Sequence, residues 1–191
     1  MSSSLSADFM NAYAKMVARG LAGIDRKELD LAVQVIRDSG QIFVAGNGGS
    51  AAIANHLVCD FNKGAECGLN VISLATNVPL MTAIANDFSY EEVFSWQLKQ
   101  HIGDNVGHTV ILISSSGNSP NIVSAANLAL KKDATLIGFT GFNGGTLKDL
   151  AHINIHVPIN NYGVVEDCHQ IVMHMIAQYL KEIRDEPRTF T

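Results

Sequence analysis

Apolar residues recur along the chain in two alternating rhythms. From Ala7 to Leu21, Phe9, Met10, Tyr13, Met16, Val17 and Leu21 fall at helical spacing. Leu29, Leu31, Val33 and Ile36 continue that rhythm from Arg26 to Asp38, and Gly40 ends it. Four short β-branched runs follow, Ile42 to Ala45, Val71 to Ala75, Thr109 to Ile113 and Thr135 to Phe139, each running into Gly, Ser, Thr or Asn. Continuous apolar runs of that length predict buried parallel strands. Ile153 to Val157 alternates instead, which predicts a fifth strand at or near a sheet edge. Helical stretches at Ser50 to Phe61, Pro79 to Asp87, Tyr90 to Gln100 and Asn118 to Lys131 separate the strands, and Val164 to Arg184 forms a long C-terminal helix. The alternation predicts an α/β fold, a doubly wound, mainly parallel five-stranded sheet flanked by helices. Without a repeat, a low-complexity linker or an internal boundary, residues 1–191 are expected to form a single domain, with the N-terminal helices in 1–38 and the last helix in 164–184.

Composition narrows the function classes. A chain of 191 residues that is 47% apolar has enough material for one well-buried core. Its net charge of −5 and its single basic doublet, Lys131-Lys132, argue against a nucleic-acid surface, which needs clustered cations. Cys59, Cys67 and Cys168 are odd in number and lack a C-x-x-C spacing, so reduced thiols are expected rather than disulfides or a thiolate metal site. The start, Met1 to Asp8, has no basic and apolar leader signature, and no apolar run approaches the length that spans a membrane. A cytoplasmic protein with no membrane partner is expected.

The candidate chemistry sits where strands end. After Ile111-Leu112-Ile113 come Ser114, Ser115, Ser116, Gly117, Asn118 and Ser119 before a new helix. Hydroxyl donors, a glycine that admits close backbone approach and the free N–H groups of a helix start together suit a phosphate. A second such turn, Gly46-Asn47-Gly48-Gly49-Ser50, follows Ile42 to Ala45. On the next helix His56 and Asp60 lie four residues apart and share a face. On the C-terminal helix Glu166, Gln170 and His174 make a polar stripe at four-residue intervals on an otherwise apolar surface. A carboxylate and an imidazole brought together from two helices suit proton transfer, and equally a His/carboxylate metal site. Elsewhere the simpler readings are expected: His169 as a satisfied core residue, His101, His108, His152 and His156 as surface or structural, and Cys59 as a small buried hydrophobe. Asn86-Asp87 either cap the helix that follows or touch the ligand.

With these residues assembled, the chain resembles the sugar isomerase (SIS) domain family and, within it, the phosphoheptose isomerases. The resemblance rests on Gly46-Asn-Gly-Gly-Ser50 with His56, on Leu80-Met-Thr-Ala-Ile-Ala-Asn86-Asp87 with Tyr90 and Phe94-Ser95, and on Ser114 to Ser119. Gly138-Phe-Thr-Gly141 with Gly144-Gly145, and the last helix with His174, complete it. It implies a SIS fold and conversion of sedoheptulose 7-phosphate to D-glycero-D-manno-heptose 7-phosphate through an enediol. It assigns substrate contacts to Asn47, Gly48 and Gly49, the sugar hydroxyls to Asn86 and Asp87, and the phosphate to Ser114, Ser115, Ser116 and Ser119. It further implies a divalent ion, zinc, one per subunit, at His56 and His174, and a homotetramer with active sites between subunits. The N-terminal helix is a candidate interface or ordinary core.

Two positions depart from the family pattern. Where those isomerases carry a catalytic glutamate this chain has Asp60, and where they carry a glutamine it has Glu166. The expected catalytic set is therefore Asp60, Glu166 and His174, with either carboxylate as base. Asp60 and Glu166 also count as substrate contacts, and His56, Asp60, Glu166 and His174 as the metal set. Two alternatives remain open at this point. One is a non-catalytic SIS protein that binds a phosphosugar as a regulatory module, like the relatives that associate with a replication initiator. The other is an isomerase of a different phosphosugar.

Overall fold

The computed structural model describes residues 6–103 and 107–185, so Met1 to Leu5, most of the segment read for a leader signature, lies outside the described residues. Five strands form one all-parallel sheet: β1 (Gln41–Gly46), β2 (Val71–Ser73), β3 (His108–Ser114), β4 (Thr135–Thr140) and β5 (Ile153–His156), in the order β2-β1-β3-β4-β5. The helices are α1 (Ala7–Ala22), α2 (Arg26–Asp38), α3 (Gly49–Cys59), α4 (Val78–Asp87), α5 (Ser95–His101), α6 (Pro120–Lys131), α7 (Gly145–Leu150) and α8 (Tyr162–Glu182). The doubly wound α/β sheet expected from the alternation is the fold observed.

Successive strand residues point to opposite faces, which is why the strands read as continuous apolar runs. Ile42, Val44, Ile111, Ile113, Ile137, Phe139, Ile153 and Ile155 face α2, α3 and α8. Phe43, Ala45, Val110, Leu112 and Leu136 face α4, α5, α6 and α7. Outside the first layer α1 lies on α8, packing Tyr13, Val17 and Leu21 around Val164, Val165 and Cys168. Phe9, Met10 and Met16 on the same helix stay exposed, so α1 is partly core and partly free surface.

Several elements differ from expectation for identifiable reasons. β2 is a three-residue edge strand with Ile72 outward, not a buried one. The Asn62 side-chain amide donates to the Val71 carbonyl (3.0 Å) and accepts its N–H (2.9 Å), filling the place of a further strand. The stretch from Tyr90 is broken into a 3₁₀ turn (Tyr90–Glu92) and α5, with fully buried Val93 and Phe94 at the break. The helix expected from Asn118 begins at Pro120. Asn118 serves α7 instead, a short helix that the periodicity did not reveal, its Oδ1 accepting the Thr146 N–H at 2.9 Å. Cys59, read as buried, is exposed, and His169, read as a satisfied core residue, is buried with its Nδ1 unpartnered among the described residues. β5 lies at the opposite edge, as its alternation predicted.

Candidate active site

In this strand order the chain leaves β1 for one side of the sheet and returns on its other side as β3. Ligands of doubly wound sheets bind outside the strand carboxyl ends at such a reversal. Gly46 and Ile113 are register partners, so the glycine turn after β1 and the serine turn after β3 emerge side by side. The two turns are joined by a reciprocal amide pair: Asn47 Nδ2 donates to Asn121 Oδ1 at 2.8 Å, and Asn121 Nδ2 donates back to Asn47 Oδ1 at 2.9 Å. The Tyr90 hydroxyl also donates to Asn47 Oδ1, at 3.0 Å.

The serine turn is fixed by backbone. Gly117 takes a φ of +67°, and a Cβ on it would lie 1.8 Å from the Gly144 carbonyl oxygen. Only glycine fits a left-handed position at so close an approach. Its N–H donates to the Ser114 carbonyl, its own carbonyl accepts the Leu147 N–H, and the Gly141 N–H donates to the Ser115 carbonyl. The turn after β4 therefore clamps the turn after β3.

Between the two strand-end turns and α8 lies a cavity of about 150 Å³, lined by Asn47, Ser50, Ser114, Ser115, Ser116, Ser119 and Glu166, with Ile113 and Tyr162. Ser115 Oγ is buried and finds no hydrogen-bond partner among the described residues. A buried hydroxyl without a partner costs free energy, so one that faces a cavity fits a ligand's acceptor there. Ser119 occupies the N-cap of α6 without using its side chain as a cap, which leaves both hydroxyl and helix end to an anion.

Glu166 enters this cavity because Gly49 has no side chain. A Cβ at Gly49 would lie 2.2 Å from Glu166 Oε2. Burial, with Asp167 alongside, lifts the Glu166 carboxyl above its ordinary range, which suits a group that takes up a proton.

One to two turns further along α8 is a second group. His56 Nε2 lies 3.4 Å from Asp60 Oδ1, His174 Nε2 lies 3.4 Å from Asp60 Oδ2, and the two imidazole nitrogens are 3.5 Å apart. Gln170 Nε2 sits 2.9 Å from His174 Nε2. Asp60 opens a π-helical turn (Asp60–Gly64) at the end of α3, where the Ala65 N–H reaches back to its carbonyl. Such bulges re-aim side chains and recur at functional sites. Among the described residues these three side chains offer ligand atoms all within 4.8 Å of one another, a group that could hold a metal ion.

Comparison with known proteins places the chain in a family. The SIS domain profile matches residues 8–141. A phosphoheptose isomerase of Burkholderia pseudomallei is 37% identical over 176 residues, covering 90% of this chain and 88% of its own. The chain belongs to the phosphoheptose isomerase family. A phosphoheptose isomerase structure from Neisseria gonorrhoeae superposes with a TM-score of 0.82 at 26% identity, covering 91% of this chain and 96% of its own. One from Francisella tularensis, at 24% identity, shares the fold with a TM-score of 0.83 over 94% of this chain and 100% of its own. Membership in the phosphoheptose isomerases makes the protein a sugar-phosphate isomerase and the cavity its candidate active site.

Of the residues singled out in the sequence, Asn47 and the four serines line the cavity with Glu166, and Gly49 shapes it. Gly48 takes the left-handed turn before α3, with φ +52°. The four-residue metal set is not gathered as expected. His56, Asp60 and His174 converge, while Glu166, eight residues before His174 on α8, lies on the cavity wall. Asn86 and Asp87 end α4, are exposed, hydrogen-bond each other at 2.9 Å and are absent from the cavity lining. They do not cap the next element, whose N-cap is Ser89. Sequence reasoning missed Asn121, 1% exposed, and the lining residue Tyr162. The signal for Asn121 was a polar residue among the apolar positions of the first turn of α6.

Proposed function

We propose that the protein interconverts sedoheptulose 7-phosphate and D-glycero-D-manno-heptose 7-phosphate through an enediol, supplying heptose for glycan precursors. The observation that carries this reading is one cavity that presents the unmet Ser115 hydroxyl and the Glu166 carboxylate together. The phosphate is bound by Ser114, Ser115, Ser116, Ser119 and the start of α6. Glu166 takes the C1 proton of the ketose, the C–H electrons form the C1–C2 double bond, and the carbonyl oxygen becomes the enediolate oxygen. His174 supplies a proton to that oxygen and recovers one from O1, while Glu166 returns its proton to C2. Glu166 is preferred to Asp60 as base because it shares the cavity with the serines, whereas both Asp60 oxygens face imidazoles.

His56, Asp60 and His174 fit a divalent ion in the chemistry of their donors, imidazole nitrogens and a carboxylate, a set that suits zinc. One such ion per subunit would supply Lewis-acid polarisation of the substrate carbonyl in place of the proton from His174, whose imidazole would then be a ligand. The whole chain acts as one domain and assembles as a homotetramer in the cytoplasm. The exposed Phe9, Met10, Met175 and Tyr179 support assembly, as does the exposure of Asn86 and Asp87, which meet sugar hydroxyls across a subunit boundary. Among the described residues no helix is long and apolar enough to cross a membrane.

The test is a panel of five-, six- and seven-carbon sugar phosphates, followed by turnover and by thermal stabilisation with zinc present. Turnover of sedoheptulose 7-phosphate is expected. Turnover of a shorter sugar alone reassigns the substrate, and stabilisation without any turnover makes the protein a binding module.

A further inference from the structure

His169 takes no part in the chemistry above, yet it sits beneath it. It lies on α8 three residues after Glu166 and five before His174, is fully buried, and stands edge-on to Phe139 with ring centroids 5.6 Å apart. Its Nε2 is 3.1 Å from the Thr140 carbonyl oxygen, so that nitrogen carries the proton and donates it. Its Nδ1 is then a buried acceptor without a partner among the described residues. Leaving such an acceptor unmet costs about 1–3 kcal/mol, which leucine at the same place would avoid. A ring kept at that cost needs a reason beyond packing.

The bond to Thr140 supplies one. Thr140 is the last residue of β4, and the next N–H, that of Gly141, donates to the Ser115 carbonyl at 2.9 Å. From the other side the Thr140 hydroxyl is held by Asn154, whose Nδ2 donates to it at 3.0 Å, and it pairs with His156 Nδ1 at 3.0 Å. Thr140 is thus a fixed point for the phosphate turn on one hand and for α8 on the other. A Cβ on Gly141 would lie 2.6 Å from both Val165 methyl carbons, so α8 meets the end of β4 at the residue before Glu166.

We propose that His169 is a positioning residue for proton transfer: its hydrogen bond to the Thr140 carbonyl sets the depth and rotation at which α8 presents Glu166 to a sugar whose phosphate rests on Ser114 to Ser119. The inference rests on the isomerase reading. A base displaced by about 1 Å loses ~10²-fold in rate, so a single bond that fixes a helix can govern kcat without touching substrate.

The experiment compares wild type, His169→Leu and His169→Gln on whichever phosphosugar the wild type turns over, reading kcat, KM and melting temperature. Leucine fills the volume without a donor, and glutamine restores an N–H in reach of Thr140. His169→Leu should lower kcat by about 10- to 100-fold with KM within about twofold and an unchanged or higher melting temperature. His169→Gln should recover most of that loss. A His169→Leu protein with wild-type kcat overturns the proposal, and so does an equal loss in both variants, which would make ring packing responsible. If His169→Leu does not fold, His169→Met, an apolar side chain of similar length without a donor, takes its place. It should give the same kcat-selective loss, and wild-type kcat there overturns the proposal. A wild type that turns over no phosphosugar overturns the reaction and the positioning role together, whereas an active wild type isolates the role of His169.

Discussion

The two halves of the site are built in opposite ways. The half proposed to hold the phosphate is closed and held by main chain: Ser114 and Ser115 are buried, and Gly117, Gly141 and Leu147 lock their turn through backbone hydrogen bonds. The chemical half is open. The side chains of His56, Asp60 and His174 are 51%, 25% and 40% exposed and stand 3.4–3.5 Å apart, longer than most hydrogen bonds. An anchor works by being ready before its ligand arrives, so its geometry is best set by the fold. The imidazole and carboxylate group has its spacing set by side chains from two helices instead. Glu166 and His169 sit at the seam, the first in the anchor's cavity and the second beneath it.

The most severe way to break this division is to remove the proposed base while leaving the proposed anchor. Glu166→Gln keeps shape and hydrogen bonding but cannot take a proton, so kcat should fall ~10²–10⁴-fold with KM little changed. Asp60→Asn should lower activity too, but through weakened metal binding, and excess zinc should restore part of it. Steady-state kinetics across a zinc titration separates the two. Restoration of Glu166→Gln by zinc, and not of Asp60→Asn, would exchange their roles.

Breaking the anchor itself comes next. Gly117→Ala places a methyl 1.8 Å from the Gly144 oxygen at a φ of +67°. Backbone strain at a position of this kind costs about 1–3 kcal/mol before the clash is counted, so a loss of ~3 kcal/mol or more is expected in urea unfolding. An alanine variant of wild-type stability would show that the turn is not fixed in advance.

The seam has a pH signature. Burial pushes the His169 imidazole down to about 4 from an ordinary value of 6.5, with the Thr140 carbonyl opposing the shift and His156 adding to it. Between those values the unfolded chain binds a proton that the native one does not. The stabilisation is therefore complete above pH 6.5 and lost as pH falls towards 4, at about 1.4 kcal/mol per pH unit and ~3 kcal/mol in all. His169→Leu should remove that component, so the gap in urea midpoint between pH 7.5 and pH 4.5 should narrow. An equal gap in both proteins would place the imidazole's titration elsewhere.

How far the sequence revealed this site followed the same division. Local patterns exposed the serine turn that lines the cavity, because a strand, a glycine and a run of hydroxyls are contiguous in the chain. The strands and main helices were legible for the same reason, since each carries its own period. What joins segments far apart was not. Nothing near Asn47 announces its pairing with Asn121, 74 residues on. The stripe Glu166, Gln170, His174 pointed to one cluster, yet the three-dimensional packing divides it, with Glu166 turned to the serines and His174 to His56 and Asp60. The bend that aims Asp60 is a π turn, which leaves no mark in hydrophobic period. α7 was hidden because its start is capped by Asn118 from a different loop.

The smallest effect separates the halves most cleanly. Ser115 Oγ is buried without a partner among the described residues, so its removal takes nothing from the resting fold and relieves an unmet polar group. A hydrogen bond to a charged ligand is worth about 1.5–3 kcal/mol, so Ser115→Ala should raise KM roughly 10- to 100-fold through lost phosphate contact. Glu166 and His174 stand on α8, which meets the Thr140 carbonyl through His169 and makes no hydrogen bond to the Ser115 hydroxyl among the described residues, so kcat should hold within about twofold. Melting temperature without ligand should stay level or rise, while the stabilisation given by added sugar phosphate should shrink. The free protein and its complex thus move in opposite directions, which is the mark of a donor placed for a ligand. A fall in the melting temperature of the free protein, with KM unchanged, would make Ser115 part of the scaffold and move the phosphate to Ser116 and Ser119.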